Sequence, residues 1–133
     1  MQQKRSGWPT HLVEYLGYQH DAERSGNGQY YSSLEVRPEH MAPNGFVQAT
    51  VIVGLADLTC ASGTFATIPE STSMTTLELK TNLIASVQGG RIVCEATLQH
   101  GGRTTQVWDA TVSAEETGKT LALFRCTQLI LRR

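Results

Sequence analysis

The sequence has few charges and no concentration of one sign. Only 17% of its 133 residues are charged, the formal net charge is −1, and no run of basic residues occurs. We therefore expect neither a nucleic acid nor an anionic membrane surface as a partner. The four histidines are scattered without the spacing of metal ligands. The sequence accordingly predicts no metal site, and we expect no cofactor.

Cysteines and long apolar runs are also scarce. Cys60, Cys94 and Cys126 form no CxxC pair and are odd in number, which is typical of reduced, buried thiols in a cytoplasmic protein. The longest unbroken apolar run is residues 51–56, and Asp57 follows it. Because an ionised carboxylate inside a bilayer is costly, we expect no membrane span. The first residues lack the apolar segment of a signal peptide.

Apolar residues are nevertheless plentiful enough for a core. A hydrophobic content of 40% predicts one globular domain over residues 1–133, with a loose terminus at residues 1–6. The predicted elements, in chain order, are a short helix opened by Pro9 and ending near Gly17, a strand over residues 30–36, a long helix that starts at Asn44-Gly45 and ends before Ile68, and four strands over residues 74–85, 91–100, 104–114 and 119–131.

Short turns are predicted between the last four strands, at residues 88–90, 101–102 and 116–119. This order predicts an α+β fold in which an antiparallel sheet wraps around one long helix. The helix is apolar nearly all round, so more than one surface must bury it. We expect Trp108 to pack in the core or at an interface between subunits.

Asp57 is the residue of the long helix that packing explains least, because burying an unpaired carboxylate costs free energy. Its helix face carries small residues, among them Ala61, so another molecule can approach closely there. These features favour a functional role. The structural alternative is a carboxylate held by a serine, threonine or arginine.

Three segments resemble a known family. Residues 43–57 carry Gly45 and Asp57 in a shared pattern, residues 76–83 match a central strand, and residues 100–108 hold a His-Gly-Gly-Arg followed by Gln-Val-Trp. Together they resemble the hotdog-fold acyl-CoA thioesterases of the phenylacetate-pathway and hydroxybenzoyl-CoA type. The resemblance covers residues 16–131. It implies a hotdog fold and hydrolysis of an acyl-CoA thioester.

The resemblance also implies roles for individual residues. Asp57 would act as nucleophile or general base, and Thr76 would orient the acid or the water. The family's His-Gly-Gly before the helix is replaced here by residues 48–50, Gln-Ala-Thr. The Ala49 backbone amide would then polarise the carbonyl, helped by the Gln48 side chain. Gln48 as a solvated or capping residue is the alternative.

Gly45 and Asn44, which precede the helix, and Ala61, which follows Asp57, would line the substrate site. His100 and Arg103 flank a glycine turn, where they would meet the phosphates of CoA or simply form a solvated hairpin tip.

The spacing of the two catalytic groups predicts a homo-oligomer. Asp57 lies eight residues beyond Ala49, about 12 Å along a helix, so one chain cannot bring both groups to one carbonyl. Relatives pair two subunits, which implies Gly45, Gln48 and Ala49 from one chain with Asp57 and Thr76 from the other. Dimer and tetramer, and aromatic and aliphatic acyl groups, stay open. The alternative function is a non-hydrolytic hotdog protein that binds acyl thioesters or serves as an assembly subunit.

Overall fold

The computed structural model describes residues 11–132, so the predicted loose terminus and the predicted helix opening at Pro9 lie outside the described residues. The elements of the described range, in chain order, are α1 (His11–Leu16), β1 (Gln19–His20), β2 (Gln29–Glu35), a 3₁₀ helix (Pro38–His40), α2 (Ala49–Thr67), β3 (Ser73–Leu83), β4 (Arg91–Gly101), β5 (Thr105–Ala114) and β6 (Thr120–Leu131).

All six strands form one antiparallel sheet in the order β1-β2-β4-β5-β6-β3. The long helix α2 packs on one face of this sheet and contacts five of its strands. The predicted α+β arrangement, with a sheet around one long helix, is confirmed. The short strand β1 was not predicted, because two residues give no alternation to detect.

The position of β3 differs from the prediction of consecutive hairpins. β3 is an edge strand that pairs with β6, and β4 lies on the far side of β5. The glycine-containing turn at residues 88–90 therefore ends a crossing connection instead of joining neighbouring strands. Alternation identifies a strand and its two faces, but it does not identify the strand that becomes its partner.

The Asn-Gly start signal lies before the long helix, whose first turn was expected from about Gln48. Residues 44–45 form a turn in which Gly45 has a φ of +87°, a conformation that suits glycine and stops a right-handed helix. Gln48 is the N-cap, with extended backbone at φ −60° and ψ 133°, and α2 begins at Ala49. The predicted end before Ile68 is confirmed.

Gly63 of α2 packs closely against Trp108 of β5. Trp108 is fully buried, as expected, and its indole N–H donates to Oε1 of Gln106 at 2.9 Å. A Cβ atom at Gly63 would lie 2.4 Å from Cη2 of Trp108. Glycine at this position therefore lets the helix and the indole ring approach each other.

Gly63→Ala is expected to destabilise the protein although alanine favours helix. The added methyl group meets a ring that has no room to move, and such overpacking costs about 1–3 kcal/mol, more than the ~1 kcal/mol gained in helix propensity. Urea denaturation measures the difference. Gly89→Ala is the control, because no atom lies within 4 Å of a Cβ there. A Gly63→Ala protein as stable as the Gly89→Ala protein would contradict the packing argument.

The leucines of β3 lie on the α2 side of the sheet but are not covered. Leu79 and Leu83 pair across the sheet with the buried residues Cys126 and Ala122. Their exposed fractions are nevertheless 42% and 49%, so α2 does not cover this part of β3. We call Leu79 and Leu83 the β3 apolar surface.

The central helix is long and apolar enough to cross a membrane by length and composition, but half of it is buried inside the fold, which is typical of a core helix. Cys60, Cys94 and Cys126 are free and buried, as predicted. Among residues 11–132, no group of three histidine, cysteine or acidic residues is arranged to hold a metal ion.

Candidate active site

The segment before α2 is held in place by a buried histidine. The Arg37 backbone N–H donates to Nδ1 of His40 at 3.0 Å, so Nε2 carries the ring proton and donates to the Tyr15 carbonyl at 2.8 Å. The Gln48 backbone N–H donates to the His40 carbonyl at 2.9 Å. These bonds fix the point at which α2 begins.

The helix start presents unsatisfied backbone donors beside a shallow depression. Within the described range, the backbone N–H of Ala49 has no hydrogen-bond partner, as expected for the first residue of a helix. The Gln48 side chain is exposed and makes no capping hydrogen bond. The depression has a volume of about 440 Å³ and is lined by Ala42, Asn44, Phe46, Val47, Gln48, Ala49 and Ser86.

Asn44 and Gly45 shape this depression through their backbone turn. Oδ1 of Asn44 accepts a hydrogen bond from the Phe46 backbone N–H at 3.1 Å, so part of the amide side chain is committed to the turn. Gly45 is exposed beside it. Both predicted residues therefore lie at the helix start, together with Gln48 and Ala49.

Asp57 lies on the half-buried side of α2, with Val53 and Ala61 one turn away on either side. Its Oδ1 accepts a hydrogen bond from the Thr76 hydroxyl at 3.2 Å. Burial raises the pKa of the Asp57 carboxyl, and the hydrogen bond from Thr76 opposes this rise. Among residues 11–132, Asp57 forms no ion pair. The carboxylate is thus partly desolvated and uncompensated, which makes it a stronger base than an exposed one.

One chain does not bring the two halves of the predicted site together. Asp57 and Thr76 are in contact, and Ala49 lies near Gln48, but Ala49 and Asp57 are two turns apart on the same helix. The neighbouring strand residue Thr75 is more exposed than Thr76, as expected for the opposite face.

His100 and Arg103 lie at the other end of the helix. Both are exposed near the turn between β4 and β5, and the Arg103 carbonyl accepts from Nη2 of Arg132 at 2.7 Å. The neighbouring Gln106 donates to Oγ1 of Thr67, the last residue of α2, at 3.0 Å. Within one chain this turn is therefore remote from the helix start.

Gln128 is the residue of this region that the sequence analysis missed. Its side chain is fully buried on β6, and Oε1 accepts from the Thr76 hydroxyl at 2.8 Å. The signal was present: the inward face of β6 reads Ala122, Phe124, Cys126, Gln128 and Ile130, with one long polar residue among apolar ones. A buried amide in such a pattern needs hydrogen-bond partners.

Comparison with known proteins defines the class. A family model described as the thioesterase superfamily matches residues 44–121, a range that includes the helix start, Asp57 and Thr76. The chain therefore belongs to the thioesterase superfamily. With its sheet around one long helix, it is a hotdog-fold acyl-CoA thioesterase.

Individual relatives agree with this assignment. A 1,4-dihydroxy-2-naphthoyl-CoA hydrolase of Listeria monocytogenes serotype 1/2a (strain 10403S) is 31% identical over 106 residues, which cover 80% of this chain and 85% of that one. A thioesterase structure from Staphylococcus aureus subsp. aureus Mu50, 26% identical, covers 92% of this chain and 99% of its own with a TM-score of 0.86. A Haemophilus influenzae thioesterase structure, 25% identical, covers 91% and 82% with a TM-score of 0.84.

Proposed function

We propose that this thioesterase hydrolyses acyl-CoA at a site shared between two copies of the chain. The Ala49 amide and the Gln48 side chain of one copy polarise the carbonyl, and Asp57 of the other copy, oriented by Thr76, drives the attack. The observation that carries the proposal is the environment of the Asp57 carboxylate. It is a half-buried carboxylate without an ion-pair partner in the described range, held by one threonine.

Two observations support a shared site. The Ala49 amide and Asp57 are separated by about 12 Å along one helix, too far to act on one carbonyl. The edge strand β3, which carries Thr76, also presents the β3 apolar surface and unpaired backbone groups along one side. A second copy seated there would cover the surface and bring its own helix start towards Asp57.

The chemistry requires an ionised Asp57 in either of two routes. As general base, Asp57 takes a proton from water while the water oxygen bonds to the carbonyl carbon. As nucleophile, it bonds to that carbon itself, and water later hydrolyses the resulting anhydride. In both, the helix-start N–H donates a hydrogen bond to the carbonyl oxygen and stabilises the negative charge that develops there, and the C–S bond then breaks and releases CoA. An acyl adduct on Asp57, detected by mass spectrometry, would identify the second route.

We propose an aromatic acyl group as the substrate, on the basis of the Listeria relative, whose name gives 1,4-dihydroxy-2-naphthoyl-CoA. His100 and Arg103 are proposed to bind the CoA phosphates, because both are exposed hydrogen-bond donors beside a turn. A panel of aromatic and aliphatic acyl-CoAs, assayed for release of free thiol, tests the substrate class. Tight binding without turnover on every member would favour the non-hydrolytic alternative, which the exchange of His-Gly-Gly for Gln-Ala-Thr keeps open.

Gln48→Ala is expected to lower kcat tenfold to a hundredfold, because one donor to the oxyanion is lost while the Ala49 amide remains. The fold should be unaffected, since the Gln48 side chain is exposed and caps nothing. Steady-state kinetics on the best substrate of the panel measure the change. Gln99→Ala, an exposed glutamine on β4, is the control. Equal kcat values for the two variants would show that the Gln48 side chain is a solvated residue with no part in catalysis.

A further inference from the structure

A chain of hydrogen bonds leads from Asp57 into the core across three elements. Asp57 on α2 accepts from Thr76 on β3 at 3.2 Å, and Thr76 also lies 2.8 Å from Oε1 of Gln128 on β6. Nε2 of Gln128 then lies 3.4 Å from Sγ of Cys126. Gln128 and Cys126 are fully buried, so water cannot replace any partner at the inner end.

The hydrogen bonds of Thr76 compete for a single proton. The Thr76 hydroxyl has one proton but two oxygen acceptors, Oδ1 of Asp57 and Oε1 of Gln128. When Asp57 is ionised, the bond to the carboxylate is the stronger one and takes the proton. Oγ1 of Thr76 and Oε1 of Gln128 would then face each other at 2.8 Å without a proton between them, which is repulsive.

A half-turn of the Gln128 amide removes this conflict. The oxygen and nitrogen of a glutamine amide have nearly the same shape, so the turn exchanges them without displacing neighbours. Nε2 then donates to Oγ1 of Thr76, and Oε1 accepts from the thiol of Cys126. The opposite orientation, with Oε1 on Thr76, would suit a protonated Asp57, whose O–H could donate to Thr76 while Thr76 donates to Gln128.

We propose that Gln128 is a positioning residue for Asp57: its buried amide reverses when Asp57 loses its proton, and the reversed amide holds the Thr76 hydroxyl as a donor to the carboxylate. This inference rests on the proposed function of Asp57. It assigns Gln128 a role in keeping the reactive form of the acid ordered, and Gln128 itself touches no substrate.

The groups around this chain of hydrogen bonds indicate that hydrogen bonds, more than neighbouring charges, control the protonation of Asp57. The titratable neighbours are the thiols of Cys60, one turn along α2, and of Cys126. The hydrogen bond to Cys126, together with burial, raises the pKa of Cys60 well above its ordinary value, so Cys60 stays a donor. Tyr18 and Cys94 face the other side of α2, through Ser62 and Thr59. Among residues 11–132, no cation pairs with Asp57.

The test compares two buried glutamines that lie directly opposite each other. Gln106 on β5 pairs in register with Gln128, and it is also buried, but it bonds Thr67 and Trp108 instead of Thr76. Gln128→Met and Gln106→Met remove the same amide from neighbouring positions while keeping its length. Both variants are expected to lose stability, so stability alone does not distinguish them.

The decisive measurement is the pH titration of the Asp57 carboxyl group, monitored through its carboxyl carbon NMR signal in protein labelled at aspartate. The signal is assigned by its loss in Asp57→Asn. In Gln128→Met the midpoint should move to higher pH than in the wild type, because the Thr76 hydroxyl is no longer polarised towards the carboxylate. In Gln106→Met the titration should coincide with the wild type. At a pH on the acidic side of the profile, kcat of Gln128→Met should fall roughly threefold to tenfold with KM unchanged.

Two further variants test whether Gln128 acts on Asp57 through Thr76. In a Thr76→Val background, Gln128→Met should cause no additional shift of the midpoint, because Gln128 acts through Thr76. Gln128→Glu, which when ionised only accepts, should raise the midpoint further than Gln128→Met does. A midpoint in Gln128→Met that matches the wild type would overturn the proposal, whether or not the protein turns over acyl-CoA. Absence of thiol release by the wild type would overturn the proposed function instead.

Discussion

Replacing Asp57 by asparagine should reduce thioester hydrolysis by roughly 10²–10⁴-fold, the usual worth of a positioned acid or base. Asparagine has nearly the same size and keeps a hydrogen bond to Thr76, so no cavity forms. It removes the negative charge on which both the general-base and the nucleophile routes depend. Thiol release with the best acyl-CoA measures the loss. Wild-type turnover by a folded Asp57→Asn protein would remove Asp57 from the mechanism.

The same substitution should not lower stability at neutral pH. Burial raises the pKa of Asp57 in the folded protein, so folding favours the protonated form. Its contribution to stability is therefore fully present below the unfolded-state pKa, and it is lost as the pH rises through the folded-state pKa. Neutral asparagine avoids this loss. Thermal unfolding as a function of pH should show Asp57→Asn equal to or above the wild type at pH 7, with the difference vanishing in acid. A purely structural Asp57 would give the opposite result at pH 7.

Leu79→Lys should separate the subunits and abolish turnover together. The proposed dimer buries the β3 apolar surface, and a lysine there would place an unpaired charge in an apolar contact in both copies. Because the polarising amide and Asp57 would no longer meet, we expect turnover to fall at least about a hundredfold. Light scattering and thiol release, measured on the same samples, test this.

Leu123→Lys is the matched control for that experiment. Leu123 is exposed to a similar degree, 48% against 42% for Leu79, but it pairs with Asn82 and lies on the other face of the sheet. This variant should keep the two-copy site and its turnover, even if the face it occupies contributes to a tetramer. A Leu79→Lys monomer with full activity would show that one chain suffices.

The sequence predicted those parts of the fold that local patterns determine. Alternation located β4, β5 and β6, and length separated the central helix from the strands. The Asn-Gly pair that signals the helix start forms a turn before it, because Asn-Gly marks a turn as readily as a helix cap and only the positive φ of Gly45 decides between them. The position of β3 beside β6 depends on long-range pairing, which alternation does not encode.

The sequence predicted Asp57 and Thr76 of the candidate site but missed Gln128, whose contacts depend on long-range strand pairing. Asp57 was identifiable because a carboxylate in an apolar helix needs an explanation, and Thr76 because of the family resemblance. The two side chains are in contact in the structure, an arrangement that the structural alternative, a carboxylate held by a threonine, also predicts. Gln128 lies far along the chain, and its role depends on which strand β6 meets. A buried glutamine can be suspected from the pattern of β6, but its partner cannot be named before the topology is known.

The pairing of β3 with β6 also has a consequence for biosynthesis. As the chain leaves the ribosome, β3 emerges at residues 73–83, but its neighbour in the sheet begins only at residue 120. During that interval β3 has no strand to pair with, so its backbone groups and apolar side chains stay exposed. Such intermediates are prone to associate with other chains. Nascent chains arrested while β6 is still inside the ribosome should therefore be held by chaperones, whereas chains extended by a linker that brings β6 out of the ribosome should be released once the sheet closes.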